Sequence, residues 1–200
     1  MSRAPLILGL GGANRAGSST EKALACALRT AEARGAETRL VGGEALAGLP
    51  LFDPRVGGEV SEAQQAFADA VRGADGVIVA SPGYHGSLSG LVKNALDTLE
   101  LTRGDAEPYF QGKPVGIIVT ADGWQAAGTT LMAVRAIIHA MRGWPTPFGA
   151  ALNATTDLFD EAGGCRDAKD AWQLSTVAEQ VMDFAIMRAQ SRANASKAAT

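Results

Sequence analysis

The sequence predicts a doubly wound α/β fold, a parallel sheet with helices on both faces, on two observations. Short runs that are apolar throughout alternate along the chain with stretches of helical period. The runs are too continuous for strands that show one face to water, so each is read as covered on both sides, as parallel strands with right-handed helical crossovers are. A length of 200 residues with 46% hydrophobic side chains fits one such domain.

The elements follow in order. Pro5 to Leu10 is a first strand ending in glycines. Ser18-Ser19-Thr20-Glu21 has capping-box spacing and opens a helix whose Ala23, Leu24, Ala27, Leu28 and Ala31 share one stripe, with Gly35 as its stop. Thr38 to Val41 is a second strand, and Ser61 to Gln64 a second capping box, opening a helix through Phe67, Ala70 and Val71. Gly76 to Ala80 is a third strand, followed by a turn-rich loop and a helix from Ser89 with Leu91, Val92, Ala95, Leu96 and Leu99 inward. Val115 to Thr120 is a fourth strand. A helix over 128–142 turns Leu131, Val134, Ile137, Ile138 and Met141 to the core, and a fifth strand is placed near Pro147 to Leu152. The last long helix covers 168–190. Residues 1–190 read as a single domain and 191–200 as a flexible, small-residue tail, while Ala47 to Gly58, with Pro50 and Pro54, reads as a long loop.

Composition excludes several classes. Lys and Arg number 18 against 21 Asp and Glu, a net charge of −3, which argues against a partner in nucleic acid or an anionic membrane. No apolar stretch approaches the ~18 residues of a membrane span and the N-terminal run is too short for a signal peptide, so cytoplasmic residence is expected. Two His and two Cys without CxxC spacing imply no structural metal and no disulfide framework. Cys26, beside the first helix's apolar stripe, reads as a small buried hydrophobe. Cys165, after Gly163-Gly164, reads as exposed and oxidisable, with nothing to mark it as catalytic.

In such a sheet ligands bind beyond the carboxyl ends of the strands. After the first strand come Gly11-Gly12-Ala13-Asn14-Arg15-Ala16-Gly17-Ser18-Ser19-Thr20, where glycines admit close backbone approach, a helix begins, and Arg15 offers charge-assisted bonds. This can cradle a phosphate, yet it is neither a Walker A loop nor a G-x-G-x-x-G turn, and a glycine-rich surface turn with a solvated Arg explains it equally well. Ser18 can simply cap its helix, leaving Ser19 and Thr20 as the more available hydroxyls.

After the third strand the chain reads Ser81-Pro82-Gly83-Tyr84-His85-Gly86-Ser87-Leu88-Ser89-Gly90-Leu91-Val92-Lys93-Asn94-Ala95-Leu96-Asp97. This stretch resembles, nearly throughout, the motif that follows the third strand in the NADPH-dependent FMN reductases. Gly12 to Ser18 is similar to that family's phosphate loop, with Ala13 in place of its first serine and Gly83 where an acidic residue is frequent. The resemblance implies a flavodoxin-like, five-stranded parallel sheet of order 2-1-3-4-5, with FMN as cofactor and NADPH or NADH as electron donor. It assigns the phosphate to Gly12, Ala13, Arg15, Ser18, Ser19 and Thr20, and the isoalloxazine to Pro82, Gly83, Tyr84, His85, Gly86 and Ser87. In the loop after the fourth strand it assigns Gly123.

No catalytic side chain and no metal are implied, because the flavin itself transfers hydride. The implied partners are a small-molecule acceptor such as free flavin or a quinone, and a second copy of the chain in a homodimer or homotetramer. A flavodoxin-like electron carrier and an FMN-binding regulatory protein are the alternatives. Trp124 can cover the ring, pack at a subunit interface or fill surface. Lys93 and Asp97 read as an intrahelical ion pair, and Arg135 and His139 as a solvated helix edge.

Overall fold

A computed structural model describes residues 3–55 and 60–198. The end of the predicted 47–58 loop, at 56–58, lies outside the described residues. Among the described residues seven strands form the sheet: β1 (Leu6–Gly11), β2 (Glu37–Val41), β3 (Gly76–Tyr84), β4 (Ser87–Leu88), β5 (Pro114–Ala121), β6 (Trp144–Pro145) and β7 (Ala150–Asn153). The parallel path runs β2-β1-β3-β5-β6, with β7 also on β5 and β4 antiparallel to β3. The expected order 2-1-3-4-5 holds once β6 and β7 are taken as one interrupted fifth strand. The count of five therefore becomes seven, through this break and through β4.

The break has a local cause. Pro145 and Pro147 flank Thr146 and cannot donate to a ladder. Thr146 N still donates to Val115 O at 3.0 Å, while its hydroxyl donates to Phe148 O at 2.8 Å and Arg135 donates to Thr146 O at 2.7 Å. Arg135 is thus half-buried and structural rather than part of a solvated edge, while His139 is exposed.

The helices are α1 (Ser19–Ala33), α2 (Gly43–Ala47), α3 (Glu62–Gly73), α4 (Gly90–Thr98), α5 (Trp124–Ala140) and α6 (Ala168–Ala198). α1, α3 and α4 each start on a serine cap, Ser18, Ser61 and Ser89, whose side chain accepts a backbone N–H. Only at Ser61 is the reciprocal box complete, with Gln64 reaching back. Three elements depart from expectation: α2 is an additional short helix, α5 begins four residues before 128, and α6 continues past 190 to Ala198. Lys93 and Asp97 pair at 2.7 Å along α4, as their spacing indicates.

Strand alternation explains why the runs are apolar throughout. Leu8, Leu10, Val77, Val79, Val115, Ile117 and Val119 face a layer filled by Phe67, Val71, Val92, Leu96, Val134 and Ile138 of α3, α4 and α5. Ile7, Ile78 and Ile118 point the other way, into Leu24 and Leu28 of α1 and Val177, Val181 and Met182 of α6. Each fully buried branched side chain contributes about 1.5–3 kcal/mol.

At the amino end of the strands polar groups are tied down. Lys113 is buried and donates to the carbonyls of Arg72 and Ala74 at the end of α3. Asp75 accepts from Leu6 N at 2.8 Å and pairs with Arg3 at 2.9 Å. Arg188 donates to Glu107 at 3.1 Å.

Candidate functional site

Three loops rise from the carboxyl ends of β1, β3 and β5. These strands are adjacent, with Gly11 opposite Ala80 and Pro82 opposite Thr120, so the loops lie within about 10 Å of one another at their roots.

The first loop, Gly12 to Ser18, leads into α1. Asn14, Arg15, Ala16 and Gly17 are exposed, and among the described residues Arg15 has neither a hydrogen bond nor an ion pair. Ser18 is buried and occupied: its hydroxyl accepts from Glu21 N at 3.2 Å and Ala13 N at 3.4 Å. Thr20 is buried as well, its hydroxyl 2.6 Å from that of Thr120. Of the three predicted hydroxyls, Ser19 is thus the half-buried one left near the surface; Thr20 brings only its backbone to the loop.

Glu21 does not complete the box predicted at Ser18. Its carboxylate spreads over two segments, accepting from Gly17 N at 3.2 Å and Gly43 N at 3.1 Å, and so ties the loop to the start of α2. Gly43 must be glycine for this, because a Cβ there would lie 1.6 Å from Ala13 O.

The second loop is tighter than a turn-rich loop. β3 runs on through Pro82 and Gly83 to Tyr84, then folds back as β4, with Gly83 opposite Leu88 and Tyr84 opposite Ser87. His85 and Gly86 form the two-residue tip, with φ of +52° and +78°, the signature of a type I′ hairpin turn. Their N–H groups lie outside the ladder, at the tip. The base is fixed by Ser81, whose buried hydroxyl donates to Pro82 O at 2.9 Å and accepts from Ser89 N at 3.0 Å. Tyr84 is 56% exposed. Beneath Gly83 sits Thr130, whose buried hydroxyl has no hydrogen-bond partner among the described residues; a Cβ on Gly83 would lie 2.8 Å from it.

The third loop is short because α5 starts at Trp124. Its N-cap, Gly123, supplies no side chain, and its φ of +106° turns the chain into the helix. Gly123 N is held by Asn153 Oδ1 at 3.1 Å, which fixes the helix start against the end of β7. The first N–H groups of α5 thereby face open space at the positive end of a 17-residue helix, an environment suited to an electron-rich group.

A cleft of about 690 Å³ lies between the hairpin tip and this helix start, its lining including His85, Gly86, Asp122, Gly123, Trp124 and Gln125. Trp124, 60% exposed, also borders a second cleft of about 610 Å³ whose far side is Asn153 to Leu158 and Arg166 to Asp170. Lys169 Nζ stands 5.9 Å from the centroid of the indole, within range of a cation–π contact.

The predicted residues thus gather at one end of the sheet, Gly12 to Thr20 on the loop after β1 and the first residues of α1, Pro82 to Ser87 on the hairpin and Gly123 at α5. Sequence reading missed Glu21 as a bridge, Gly43, Asn153 and Thr130. All four act through contacts with segments distant in the chain, which residue spacing does not reveal. No group of His, Cys, Asp and Glu suited to a metal ion occurs among the described residues, and no helix there is long and apolar enough to cross a membrane.

Comparison with known proteins fits this geometry. The sequence pattern described as NADPH-dependent FMN reductase matches residues 5–157. The FMN-dependent NADPH-azoreductase of Staphylococcus aureus is 28% identical over 128 residues, 63% of this chain and 64% of the relative; the match thus spans less than two thirds of these curated relatives' length. Among solved structures, the flavoenzyme FerB, an NAD(P)H:(acceptor) oxidoreductase from Paracoccus denitrificans, superposes with a TM-score of 0.76 at 22% identity, covering 92% of this chain and 98% of FerB. The NADH:FMN oxidoreductase EMOB gives 0.68 at 22% identity, covering 90% and 89%. A flavodoxin from Streptococcus pneumoniae TIGR4 gives 0.59 at 13% identity, covering 88% and 97%. At these identities the structural likenesses establish a shared flavodoxin-like fold.

Proposed function

The chain belongs to the NADPH-dependent FMN reductase family, and from that premise we propose that it is an NAD(P)H-dependent FMN reductase or related flavin-dependent oxidoreductase. It takes electrons from NADPH or NADH and delivers them to a small-molecule acceptor such as free flavin or a quinone. Azo compounds, the class in the staphylococcal relative's name, are a further acceptor to assay.

The observation that carries this reading is the type I′ hairpin Tyr84–Ser87 beside the uncapped start of α5. Together they present backbone N–H groups along one wall of an open cleft, with an aromatic face at Trp124. The residues present fit a flavin nucleotide. Arg15, Ser19 and the backbone of Ala13 to Gly17 would hold its phosphate at the start of α1, where the helix dipole favours an anion. The Ala13 side chain offers no hydroxyl, so Arg15 and the backbone carry that contact. Pro82 to Ser87 and Gly123 would meet the ring, with Ser18 and Thr20 shaping the loop from inside.

FMN, when bound, supplies the hydride and electron chemistry. The chain's own residues position and polarise. The tip N–H groups of His85 and Gly86 and the start of α5 would stabilise negative charge on a bound flavin, and they would need no rearrangement to do so because the hairpin and the Asn153–Gly123 bond hold them in place. Tyr84 and Trp124 give apolar surface at the rim, against which a flat nicotinamide or acceptor can lie.

We further propose a cytoplasmic homodimer or homotetramer, with residues 1–190 as one flavin-binding domain whose last helix continues to Ala198. Exposed Trp124 and Met132 on α5 support self-association beside the cleft. A monomeric hydrodynamic mass at micromolar concentration with full activity refutes it.

The deciding experiment is an anaerobic visible spectrum of the protein with stoichiometric FMN, before and after NADPH. The expected outcome is bleaching much faster than for free FMN. Bound flavin that stays oxidised points instead to an electron carrier or a regulatory protein.

A further inference from the structure

Cys26 and Cys165, far apart in sequence, meet in space. Cys26 lies on α1 and donates through Sγ to Gly163 O at 3.1 Å. Arg29, one turn on, donates to the same carbonyl at 2.8 Å and approaches Cys26 Sγ to 2.9 Å. Cys165 lies two residues beyond Gly163 and packs on the same apolar cluster as Cys26, so this contact brings the second thiol beside the first. Both thiols are free, half-buried, and packed on the apolar layer between α1 and α6, so Cys165 is less exposed than its glycine-rich surroundings suggest.

The loop that carries Cys165 is braced from within. Asp160 N donates to Gly164 O at 2.9 Å, Gly164 N donates to Asp160 Oδ1 at 2.8 Å, and Phe159 bridges to Cys165 itself. The second thiol is therefore held toward α1 rather than free to swing into solvent.

We propose that Cys26 and Cys165 are a peroxide-responsive redox pair whose intramolecular disulfide fastens the segment between β7 and α6 to α1. Cys26 reacts first: its sulfur, beside the Arg29 guanidinium, attacks a peroxide oxygen, the O–O bond breaks, and a sulfenic acid and one water result. Cys165 then attacks Cys26 Sγ; the S–S bond forms as the S–O bond breaks, and the departing hydroxide takes the Cys165 proton to leave as a second water. Two thiols lose two electrons and one hydrogen peroxide becomes two waters. Burial, with Cys26 alongside, pushes the Cys165 thiol up to about 12, so Cys165 stays protonated at neutral pH and Cys26 is the one of the two that meets peroxide first. A dithiol reductant reverses the link.

The link has consequences beyond the two sulfurs. Asn153 to Leu158 and Arg166 to Asp170, which wall the cleft beside Trp124, flank the fastened loop. The closed covalent loop spans about 140 residues, so it removes much chain entropy from the unfolded state. The pair is independent of whether the carboxyl-end site binds a flavin.

The test uses the whole chain, treated with a few equivalents of hydrogen peroxide, quenched, and analysed by intact mass and by digestion without reductant. The expected result is loss of two hydrogens, a Cys26–Cys165 linked peptide pair, and a Tm about 5–10 °C higher that returns with dithiothreitol. Cys26→Ser and Cys165→Ser each abolish the linked pair. Oxygen added to one cysteine without a link, a link between two chains, or two unreacted thiols overturns the proposal; a link with no gain in Tm overturns the fastening.

Discussion

The two ends of the sheet are finished differently. At the amino end Lys113, Asp75, Arg3, Arg188 and Glu107 all have partners, and Lys113 closes the end of α3 from inside the protein. At the carboxyl end Arg15 stands without a partner among the described residues, α5 starts without a side-chain cap, the hairpin tip projects past its ladder, and Tyr84 and Trp124 are exposed. Satisfied polar groups stabilise a fold, whereas convergent unsatisfied ones held in place by rigid elements are what a ligand site requires. Stability and binding are thus assigned to opposite edges of one sheet, and substitutions should separate them.

The largest effect belongs to the amino end. Lys113→Ala removes a buried stem and leaves two carbonyls at the end of α3 without their donor, and should cost about 3–4 kcal/mol of stability in urea unfolding while leaving the FMN Kd of the folded protein unchanged. A parallel loss of flavin affinity would break the separation of the two ends.

Lys113 also carries a pH signature. Burial lowers its pKa from 10.5 to about 8. Between these values the unfolded chain binds more protons at this position than the folded one, so raising the pH favours the folded state, and the benefit disappears as pH falls through about 8. The stability gap between the native chain and Lys113→Ala should widen by about 3 kcal/mol from pH 8 to pH 10.5. A constant gap across this window would show that the site titrates normally.

At the carboxyl end the expected pattern inverts. Arg15→Ala should weaken FMN by about 1.5–3 kcal/mol in a fluorescence titration, the worth of a charge-assisted hydrogen bond, with the Tm of the flavin-free protein essentially unchanged. Unaltered affinity would remove Arg15 from the phosphate site.

The smallest effect lies under the hairpin. Thr130 buries a hydroxyl without a partner, so Thr130→Val, which keeps the shape and drops the polar atom, should stabilise the protein by about 1 kcal/mol in thermal unfolding. A loss of stability instead would mean that the hydroxyl is satisfied in solution.

What the sequence made legible follows from the range of each interaction. Strand and helix order, the serine caps and the Lys93–Asp97 pair depend on residues a few positions apart, and these were readable. The hairpin was half-readable. Pro82 and Gly83 are poor strand residues by propensity, yet Pro82 pairs with Thr120 because β3 is clamped between β1 and β5. The early start of α5 was hidden because Gly123 caps with its backbone alone. The last turns of α6, rich in Ala and Ser, carry no apolar stripe to announce them. Arg135, Asn153 and the two cysteines find partners across the tertiary structure, where spacing in sequence is uninformative. The three loops at the carboxyl end of the sheet were legible through their motif, and their finer division into half-buried Ser19 and inward Thr20 was not.

Glu21 shows how little substitution the first loop tolerates. Its two oxygens serve two different chain segments, each presenting an N–H. Glutamine has the same outline but only one oxygen, and its amide would set N–H against N–H at the other contact. The outwardly mildest exchange at position 21 is therefore a frustrated one, and the curvature of the turn ahead of α1 rests on a carboxylate with no isosteric stand-in.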